Sequence, residues 1–160
     1  DPLRRWHILD WYFSGILNDV FTNSTLNLFS KGEFDFYLPA MANVSYKNYD
    51  AINSLDFIGL NYYSRWHVKG QLNLAEPFTF ELRPQDIQTD MPYAIYPEGF
   101  YKAVKTIAKL NVPIIITENG IADNKDDRRS LFIKRYLYAL FKTIEEDQQT
   151  IKFQILHESL

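Results

Sequence analysis

Two apolar runs limit the possible folds of this chain more than any other feature. The first covers residues 55–63 and the second residues 112–117, and neither alternates strictly between apolar and polar side chains. A near-continuous apolar run of this length is typical of a parallel strand that is buried on both faces. The runs therefore predict two strands of a parallel sheet, and hence an α/β fold.

The region before the first strand, residues 1–54, is predicted to contain one helix followed by irregular chain. Apolar residues at helical spacing indicate a helix from Leu3 to about Phe21, and Asn23-Ser24-Thr25 then interrupts the pattern. Residues 26–54 contain glycine, proline and several Asn and Asp residues, which indicate a loop with short helical turns.

Two more helices are predicted from their ends and their apolar faces. The pattern over 98–111 starts beside Pro97, because proline suits a first helical turn. The pattern over 126–147 is predicted to start with Asp126 or Asp127 as its N-cap. Its buried stripe is predicted to consist of Ile133, Tyr136, Leu137, Leu140, Phe141 and Ile144.

Residues 64–97 form a long excursion that contains four prolines. Two stretches within it, 66–72 and 78–82, suit the strands of a hairpin. Beyond the last helix, the short apolar stretch 151–156 predicts one more strand. The resulting order, βαβαβ, predicts right-handed parallel crossovers, and chemistry in such folds gathers at the carboxyl ends of the strands.

Composition excludes several classes of function. The net charge is -3 and the basic residues are scattered, so we expect no nucleic-acid partner. No apolar run approaches the ~20 residues that a membrane helix needs, and the first residues lack the pattern of a signal peptide, so we expect a cytoplasmic protein without a membrane partner. The three histidines form no metal-site pattern, and we expect neither metal nor cofactor. Aromatic residues make up 16% of the chain, which suits a ring-rich core and, for a minority, flat platforms for sugars.

Polar side chains follow both predicted strands at their carboxyl ends. Glu118 comes directly after an apolar run, and it is either a capping or ion-paired residue or a nucleophile or general acid/base. A carboxylate that attacks an anomeric carbon needs a fixed orientation, and a tyrosine hydroxyl can provide it. Tyr62 or Tyr63 on the neighbouring strand end is the candidate donor.

Three segments resemble successive signatures of glycoside hydrolase family 1, the β-glucosidase-like enzymes. They are Asp56-Phe57-Ile58-Gly59-Leu60-Asn61-Tyr62-Tyr63, Tyr96-Pro97-Glu98-Gly99-Phe100-Tyr101 and Pro113-Ile114-Ile115-Ile116-Thr117-Glu118-Asn119-Gly120-Ile121-Ala122-Asp123. The resemblance extends from the first helix to about Lys152. It implies a (β/α)₈ barrel that hydrolyses β-linked glycosides or oligosaccharides with retention of configuration.

The resemblance also implies roles for three residues. Glu118 matches the catalytic nucleophile at the end of the seventh strand, and Tyr63 matches the tyrosine that donates a hydrogen bond to it. Asn61 matches an asparagine at the end of the sixth strand, close to the acid/base, where it supports that group or the substrate. Glu98 and Gly99 match the start of a helix and are interpreted as structural.

Several parts of the family pattern have no counterpart in this chain. A closed barrel takes ~250 residues, whereas this chain has 160. The Asn-Glu-Pro motif that carries the acid/base is absent, and Ala75 precedes the only similar pair, Glu76-Pro77. Residues 151–160 are expected to diverge from the family.

We therefore expect residues 1–160 to be a single incomplete TIM-barrel fragment, roughly strands 6 to 8 with their helices. On its own the fragment is expected to be inactive, and the missing N-terminal part of the barrel is a candidate partner. Two alternatives remain open: a non-catalytic carbohydrate-binding or scaffold derivative of the barrel, and a truncated gene product.

Overall fold

The computed structural model describes residues 1–38, 42–73 and 75–147. The predicted strand over 151–156 and the predicted divergent end over 151–160 lie outside the described residues. The chain divides into two compact units. Unit 1 consists of Asp1–Leu55 and Trp66–Arg83, and unit 2 consists of Asp56–Arg65 and Pro84–Leu160.

The described residues form both helices and strands, as an α/β fold requires. The helices are α1 (Ile8–Asn18), α2 (Ser24–Lys31), α3 (Pro97–Ile107) and α4 (Arg129–Asp147), with a π-helical turn at Asp19–Asn23 and 3₁₀ turns at Tyr49–Ala51 and Ala108–Leu110. The strands are β1 (Glu33–Leu38), β2 (Ala42–Lys47), β3 (Ile58–Asn61), β4 (His67–Gly70), β5 (Phe78–Glu81) and β6 (Ile114–Glu118). No helix among the described residues combines the length and hydropathy needed to cross a membrane.

The helical chain in unit 1 continues through the point where the sequence predicted a break. The π-helical turn joins α1 directly to α2, because the Ser24 N–H donates to the carbonyl of Asp19, five residues earlier. The Ser24 hydroxyl donates to the same carbonyl over 2.7 Å. Helix α2 then ends at Gly32, whose φ of 73° is the left-handed conformation that glycine adopts readily.

The prediction of irregular chain over 26–54 is wrong for most of that range, because α2 and a hairpin occupy it. Strands β1 and β2 pair antiparallel, with Glu33 opposite Lys47 and Leu38 opposite Ala42. Every second residue of β1 is apolar, which is the period of a half-buried strand, but six residues of that pattern are easily obscured by flanking turn-forming residues. The second hairpin of unit 1, formed by β4 and β5, matches the hairpin predicted over 66–82.

The first turn of α1 is tied to β4 by a buried carboxylate. Asp10 is fully buried, and its Oδ1 accepts from the Arg4 guanidinium at 2.6 Å and from the Gly70 N–H at 2.9 Å. Burial alone would raise the pKa of Asp10, but the hydrogen bonds from Arg4 and Gly70 outweigh it and lower that pKa well below its usual range. This contact fixes α1 to β4 within unit 1.

Unit 2 contains the predicted parallel pair. Strands β3 and β6 pair in parallel, with Ile58 opposite Ile114. The register shifts after Leu60, so that Asn61 lies opposite Glu118. Helix α3 and its 3₁₀ extension cover the helix predicted over 98–111, and Asn111 ends it with a left-handed φ of 56°. The parallel sheet therefore agrees with the prediction, although the described residues form no closed barrel.

Helix α4 differs from its prediction at its start. The helix begins at Arg129, and Asp123, rather than Asp126 or Asp127, caps it. Oδ2 of Asp123 accepts from the backbone N–H of Arg128 at 2.8 Å and of Arg129 at 3.0 Å. Asp126 instead has a left-handed φ of 55°, which excludes it from the first turn of a helix. The loop conformation, which the sequence does not reveal, therefore decides which carboxylate is the cap.

Only two of the six residues predicted for the buried stripe of α4 are buried, and Ile144 is partly exposed. Tyr136 and Leu140 are buried, but Ile133, Leu137 and Phe141 are about half exposed. The buried face consists of Phe132, Tyr136, Ala139, Leu140 and Thr143. Apolar residues occupy two faces of this helix, and periodicity alone does not say which face meets α3.

Candidate active site

The carboxyl ends of β3 and β6 bring together a phenol and a carboxylate. Tyr63 lies two residues beyond the end of β3, and its hydroxyl donates a hydrogen bond of 2.9 Å to Oε2 of Glu118, the last residue of β6. The other carboxylate oxygen, Oε1, makes no hydrogen bond within the described ranges. Both side chains are exposed, so a ligand can reach them.

Asn61 is also at this edge of the sheet, but it contacts a different neighbour. Its Oδ1 accepts from the Thr117 hydroxyl at 2.5 Å, which places the asparagine beside the residue that precedes Glu118. Its side-chain nitrogen makes no hydrogen bond to any residue that the structure describes. The amide of Asn61 is therefore oriented by Thr117 and keeps two N–H groups for a ligand.

The Tyr62 side chain packs against the interior of unit 2 and does not face the Glu118 carboxylate as Tyr63 does. Its hydroxyl donates to the carbonyl of Tyr96 at 3.1 Å, and its ring packs on Phe100 with centroids 5.5 Å apart. Burial, together with the neighbouring Tyr136 and Tyr96, raises the pKa of Tyr62 far above its usual value. Of the two candidate donors, Tyr63 is the one whose hydroxyl reaches the Glu118 carboxylate, whereas Tyr62 contacts Glu118 through its backbone N–H, which donates to the Glu118 carbonyl at 2.9 Å.

Gly99 makes room for Tyr62 at the start of α3. A Cβ at that position would lie 2.1 Å from the Tyr62 hydroxyl, so any side chain there would force Tyr62 to shift. The backbone N–H of Tyr96 in turn donates to the Tyr136 hydroxyl at 3.0 Å, and burial raises the pKa of Tyr136 to about 12. These contacts hold the Asn-Tyr-Tyr segment against α3 and α4 through Tyr62. The next residue, Tyr63, then faces Glu118.

Sequence reasoning missed Tyr93, which supports Tyr63. The two rings are stacked, with centroids 6.3 Å apart and planes inclined by 29°. The segment that carries Tyr93 is attached to the end of β3, because the Ser64 hydroxyl donates to the Ala94 carbonyl at 3.0 Å and accepts from the Ala94 N–H at 2.8 Å. The only signal in the sequence was the long excursion itself, since loops of that length are often functional.

Arg65 provides a second attachment between the end of β3 and the segment that carries Tyr93. Its guanidinium donates to the carboxylate of Asp86 at 2.7 Å and lies over the Tyr96 ring at 3.8 Å from the centroid. A guanidinium can make both contacts because its edge donates hydrogen bonds while its face stacks on an aromatic ring. The start and the end of the Tyr93 segment are therefore both tied to residues that adjoin β3.

A second arginine connects the excursion to the loop after β6. Arg128 donates to Asp90 at 2.5 Å, to Asp123 at 2.9 Å and to the carbonyl of Gln88 at 2.6 Å. The hydrogen bonds from the Asn124 N–H and from Arg128 lower the pKa of Asp90. Burial opposes ionisation of Asp123, but the bonds from Arg128 and Arg129 outweigh it and lower that pKa as well. Both carboxylates are therefore held ionised around one cation.

The chemistry that this arrangement permits is nucleophilic. A carboxylate needs no base to activate it, and the Tyr63 bond fixes one oxygen while the other remains available. Within the described part of the chain, no three acidic, histidine or cysteine side chains are close enough to hold a metal ion.

Known proteins with similar sequences include proteins named as beta-galactosidases and beta-glucosidases, and one named as a galactolipid galactosyltransferase. The profile of a family described as glycosyl hydrolase family 1 matches residues 4–156. A beta-galactosidase of Pyrococcus woesei is 26% identical over an alignment that covers 86% of this chain and 28% of the relative. The chloroplastic beta-glucosidase-like protein SFR2 of Oryza sativa subsp. japonica is 31% identical, with 71% of this chain and 18% of the relative covered.

Solved structures agree with the sequence matches. A beta-glycosidase from Pyrococcus horikoshii superposes with a TM-score of 0.76 at 27% identity, covering 95% of this chain and 34% of that chain. A family 1 glucosidase from Thermotoga maritima superposes with a TM-score of 0.75, and at 22% identity this likeness shows the fold alone.

These findings first define the class of protein, an α/β chain with the fold of glycoside hydrolases. More specifically, the chain belongs to glycosyl hydrolase family 1, as the resemblance implied. It spans only about a third or less of the length of the relatives that it matches. The family match extends to residue 156.

Proposed function

We propose that this chain forms part of a retaining β-glycosidase in which Glu118 is the nucleophile. The observation that carries the proposal is the 2.9 Å hydrogen bond from Tyr63 to Glu118 at the carboxyl ends of two parallel strands. The alternative interpretation of Glu118, a capping or ion-paired residue, has no support in the described part of the chain, where no cation or helix start contacts it.

In the proposed reaction a carboxylate oxygen of Glu118 attacks the anomeric carbon of a terminal β-linked sugar. The bond to the leaving oxygen breaks, and that oxygen takes a proton from a second carboxylic acid. The glycosyl–Glu118 ester then reacts with water, which loses its proton to the same second carboxylate. Net retention follows from the two inversions, and it requires the two carboxyl groups to lie ~5–5.5 Å apart.

Tyr63 and Asn61 have separate proposed roles. The Tyr63 hydroxyl holds Oε2, so that the free oxygen Oε1 faces the sugar in a defined direction. Asn61, oriented by Thr117, offers its amide N–H groups to the substrate or to the acid/base. Neither residue moves a proton in the reaction; both position reacting groups.

The second carboxyl group is proposed to belong to a part of the barrel outside this chain. Residues 1–160 are interpreted as one incomplete TIM-barrel fragment, with β3 and β6 as its sixth and seventh strands. The family motif Asn-Glu-Pro has no counterpart in the sequence. The partner that completes the site is therefore the N-terminal portion of a barrel, and the fragment alone lacks the group that protonates the leaving oxygen.

The substrate class is proposed from the relatives and from the chemistry. The relatives named above are a beta-galactosidase and a beta-glucosidase-like protein, so we propose a terminal β-linked galactose or glucose. The side chains that would distinguish these sugars are expected to lie in the missing portion.

The proposal is tested by trapping the ester. A fluorinated β-glucosyl fluoride has a leaving group that needs no acid, so the 160-residue chain should react slowly with it at Glu118. Glu118→Gln should abolish the modification. Saturable sugar binding that is indifferent to Glu118→Gln, without any modification, would instead favour a non-catalytic sugar-binding derivative.

A further inference from the structure

A cavity separate from the Glu118 site lies wholly within unit 1. Its volume is about 460 Å³, which is within the range of small-molecule pockets. Its walls come from α1, the π-helical turn, α2 and the β1–β2 hairpin. The lining residues used below are Tyr12, Asp19, Asn23, Asn27, Asp35, Tyr37 and Asn43. None of them belongs to the segments that form the Glu118 site.

The π-helical turn shapes one wall of this cavity. A π turn inserts one extra residue into a helix, is rare, and occurs frequently at functional sites. Here the turn places both of its ends, Asp19 and Asn23, on the cavity wall. The Asn23 amide donates to the carboxylate of Asp19 at 2.7 Å, so the two side chains hold each other in place.

The opposite wall is fixed to the turn by a buried hydroxyl. Ser24 is 1% exposed, and its Oγ lies 2.7 Å from the carbonyl of Asp19 and 2.5 Å from the carbonyl of Asp35 on β1. The helical wall and the hairpin wall are therefore joined by a contact that does not use the polar groups inside the cavity. A cavity with such tied walls is pre-formed for a ligand.

Polar groups on the lining have no partner within the described residues. The amides of Asn27 and Asn43 and the hydroxyls of Tyr12 and Tyr37 make no hydrogen bond to any residue that the structure describes. Tyr12 and Tyr37 are about half exposed and Asn43 is exposed, so solutes can reach these groups. Four accessible hydrogen-bonding groups therefore border one volume, next to two tyrosine rings, and are available to a polar ligand.

The chemistry of the lining selects the ligand. Amide and carboxylate side chains bind neighbouring hydroxyls, while the faces of Tyr12 and Tyr37 suit flat C–H surfaces; a sugar ring presents both. Asp19 and Asp35 disfavour an anion. We propose that this cavity binds a neutral monosaccharide or disaccharide, as a carbohydrate site separate from the one at Glu118.

The test is a titration of the 160-residue chain with methyl β-glucoside and cellobiose, followed by the NMR signals of its side-chain amides. We expect saturable shifts at Asn27 and Asn43. Asn27→Ala should weaken binding by about tenfold, the effect of losing ~1.4 kcal/mol. Alanine is favoured in helices, so this change on α2 preserves the fold. Asn18→Ala, an exposed change on α1 that does not line the cavity, is the matched control and should bind as the parent chain does.

Glu118→Gln separates this proposal from the proposed catalytic function, because it should leave the amide shifts and the affinity unchanged. The proposal is overturned if no saturable shift occurs at Asn27 or Asn43, if Asn27→Ala binds as tightly as Asn18→Ala, or if Glu118→Gln abolishes binding. Equal affinity for glucose 6-phosphate would contradict the selection of a neutral ligand. Tyr37→Ser, at an exposed position of β1, should also weaken binding, and it tests the proposal without changing a helix.

Discussion

Tyr63 and Glu118, 55 residues apart in the chain, are joined by a 2.9 Å hydrogen bond at the carboxyl ends of β3 and β6. The register shift after Leu60 aligns the end of β3 with Glu118. The Tyr62 ring, held in the core, directs the next residue of the chain toward the carboxylate. The pair is therefore produced by parallel strand pairing and by the packing of a neighbouring side chain.

Removing the hydroxyl of Tyr63 should affect reactivity rather than folding. Tyr63→Phe leaves Glu118 without its donor, so trapping at Glu118 should slow by about tenfold, equivalent to ~1.4 kcal/mol. The side chain is 41% exposed, so the midpoint of thermal unfolding should hardly change. The rate is measured by mass spectrometry over time.

Tyr62→Phe is the matched control for that experiment. It removes the hydrogen bond to the Tyr96 carbonyl in a well-packed region and should lower the free energy of unfolding by ~1 kcal/mol, while trapping changes little. If both variants gave the same combination of rate and stability, the separate roles of the two tyrosines would be wrong.

The isolated chain should hydrolyse aryl β-glucosides very slowly. Without a second carboxyl group the leaving oxygen cannot be protonated, and general acid–base catalysis typically contributes 10²–10⁴-fold. A colorimetric assay of the purified 160-residue chain, beside an intact family member, measures the difference. Turnover equal to that of the intact enzyme would show that the acid/base is present in this chain after all.

The two apolar faces of α4 should respond differently to substitution. Phe132 is 3% exposed and stacks on Tyr136, so Phe132→Ala should cost ~3–5 kcal/mol of unfolding free energy. Phe141 is 54% exposed, so Phe141→Ala should change that energy by no more than ~0.5 kcal/mol. Denaturant unfolding of both variants measures the contrast. A larger cost for Phe141→Ala would mean that the predicted stripe is the buried one, and equal costs would contradict the observed difference in burial between the two faces.

The ionic cluster around Arg128 should make stability depend on pH in the acid range. The pKa values of Asp90 and Asp123 are lowered in the folded chain, so their contribution is complete above the unfolded value of ~3.9 and is lost as the pH falls through the folded values. The parent chain should be more stable than Asp90→Asn above about pH 5, and the difference should shrink below about pH 4. Thermal melts of both chains at pH values above 5 and below 4 test the sign; a difference that grew on acidification would contradict it.

The sequence was sufficient for the features that depend on local pattern. The runs at 55–63 and 112–117 predicted the parallel pair, and the proline and glutamate at the start of α3 predicted that helix. The family motifs identified Tyr63 and Glu118, and the structure brings those two together. The roles of these residues stay predictions until they are tested.

The remaining features depend on contacts that a pattern does not contain. The π-helical turn keeps the chain helical through Asn23-Ser24-Thr25, where residue preferences favour a break. Asp123 caps α4 because the preceding loop directs its carboxylate at two N–H groups. Tyr93 lies beside Tyr63 because contacts from Ser64, Arg65 and Arg128 hold its segment in place.

The most direct test of the central claim is the position of the trapped sugar. After incubation with the fluorinated β-glucosyl fluoride, the chain is digested and the modified peptide is sequenced by mass spectrometry. We expect one modified residue, Glu118, and no modification in Glu118→Gln. A sugar attached to another residue, or undiminished modification of Glu118→Gln, would contradict the assignment of the nucleophile.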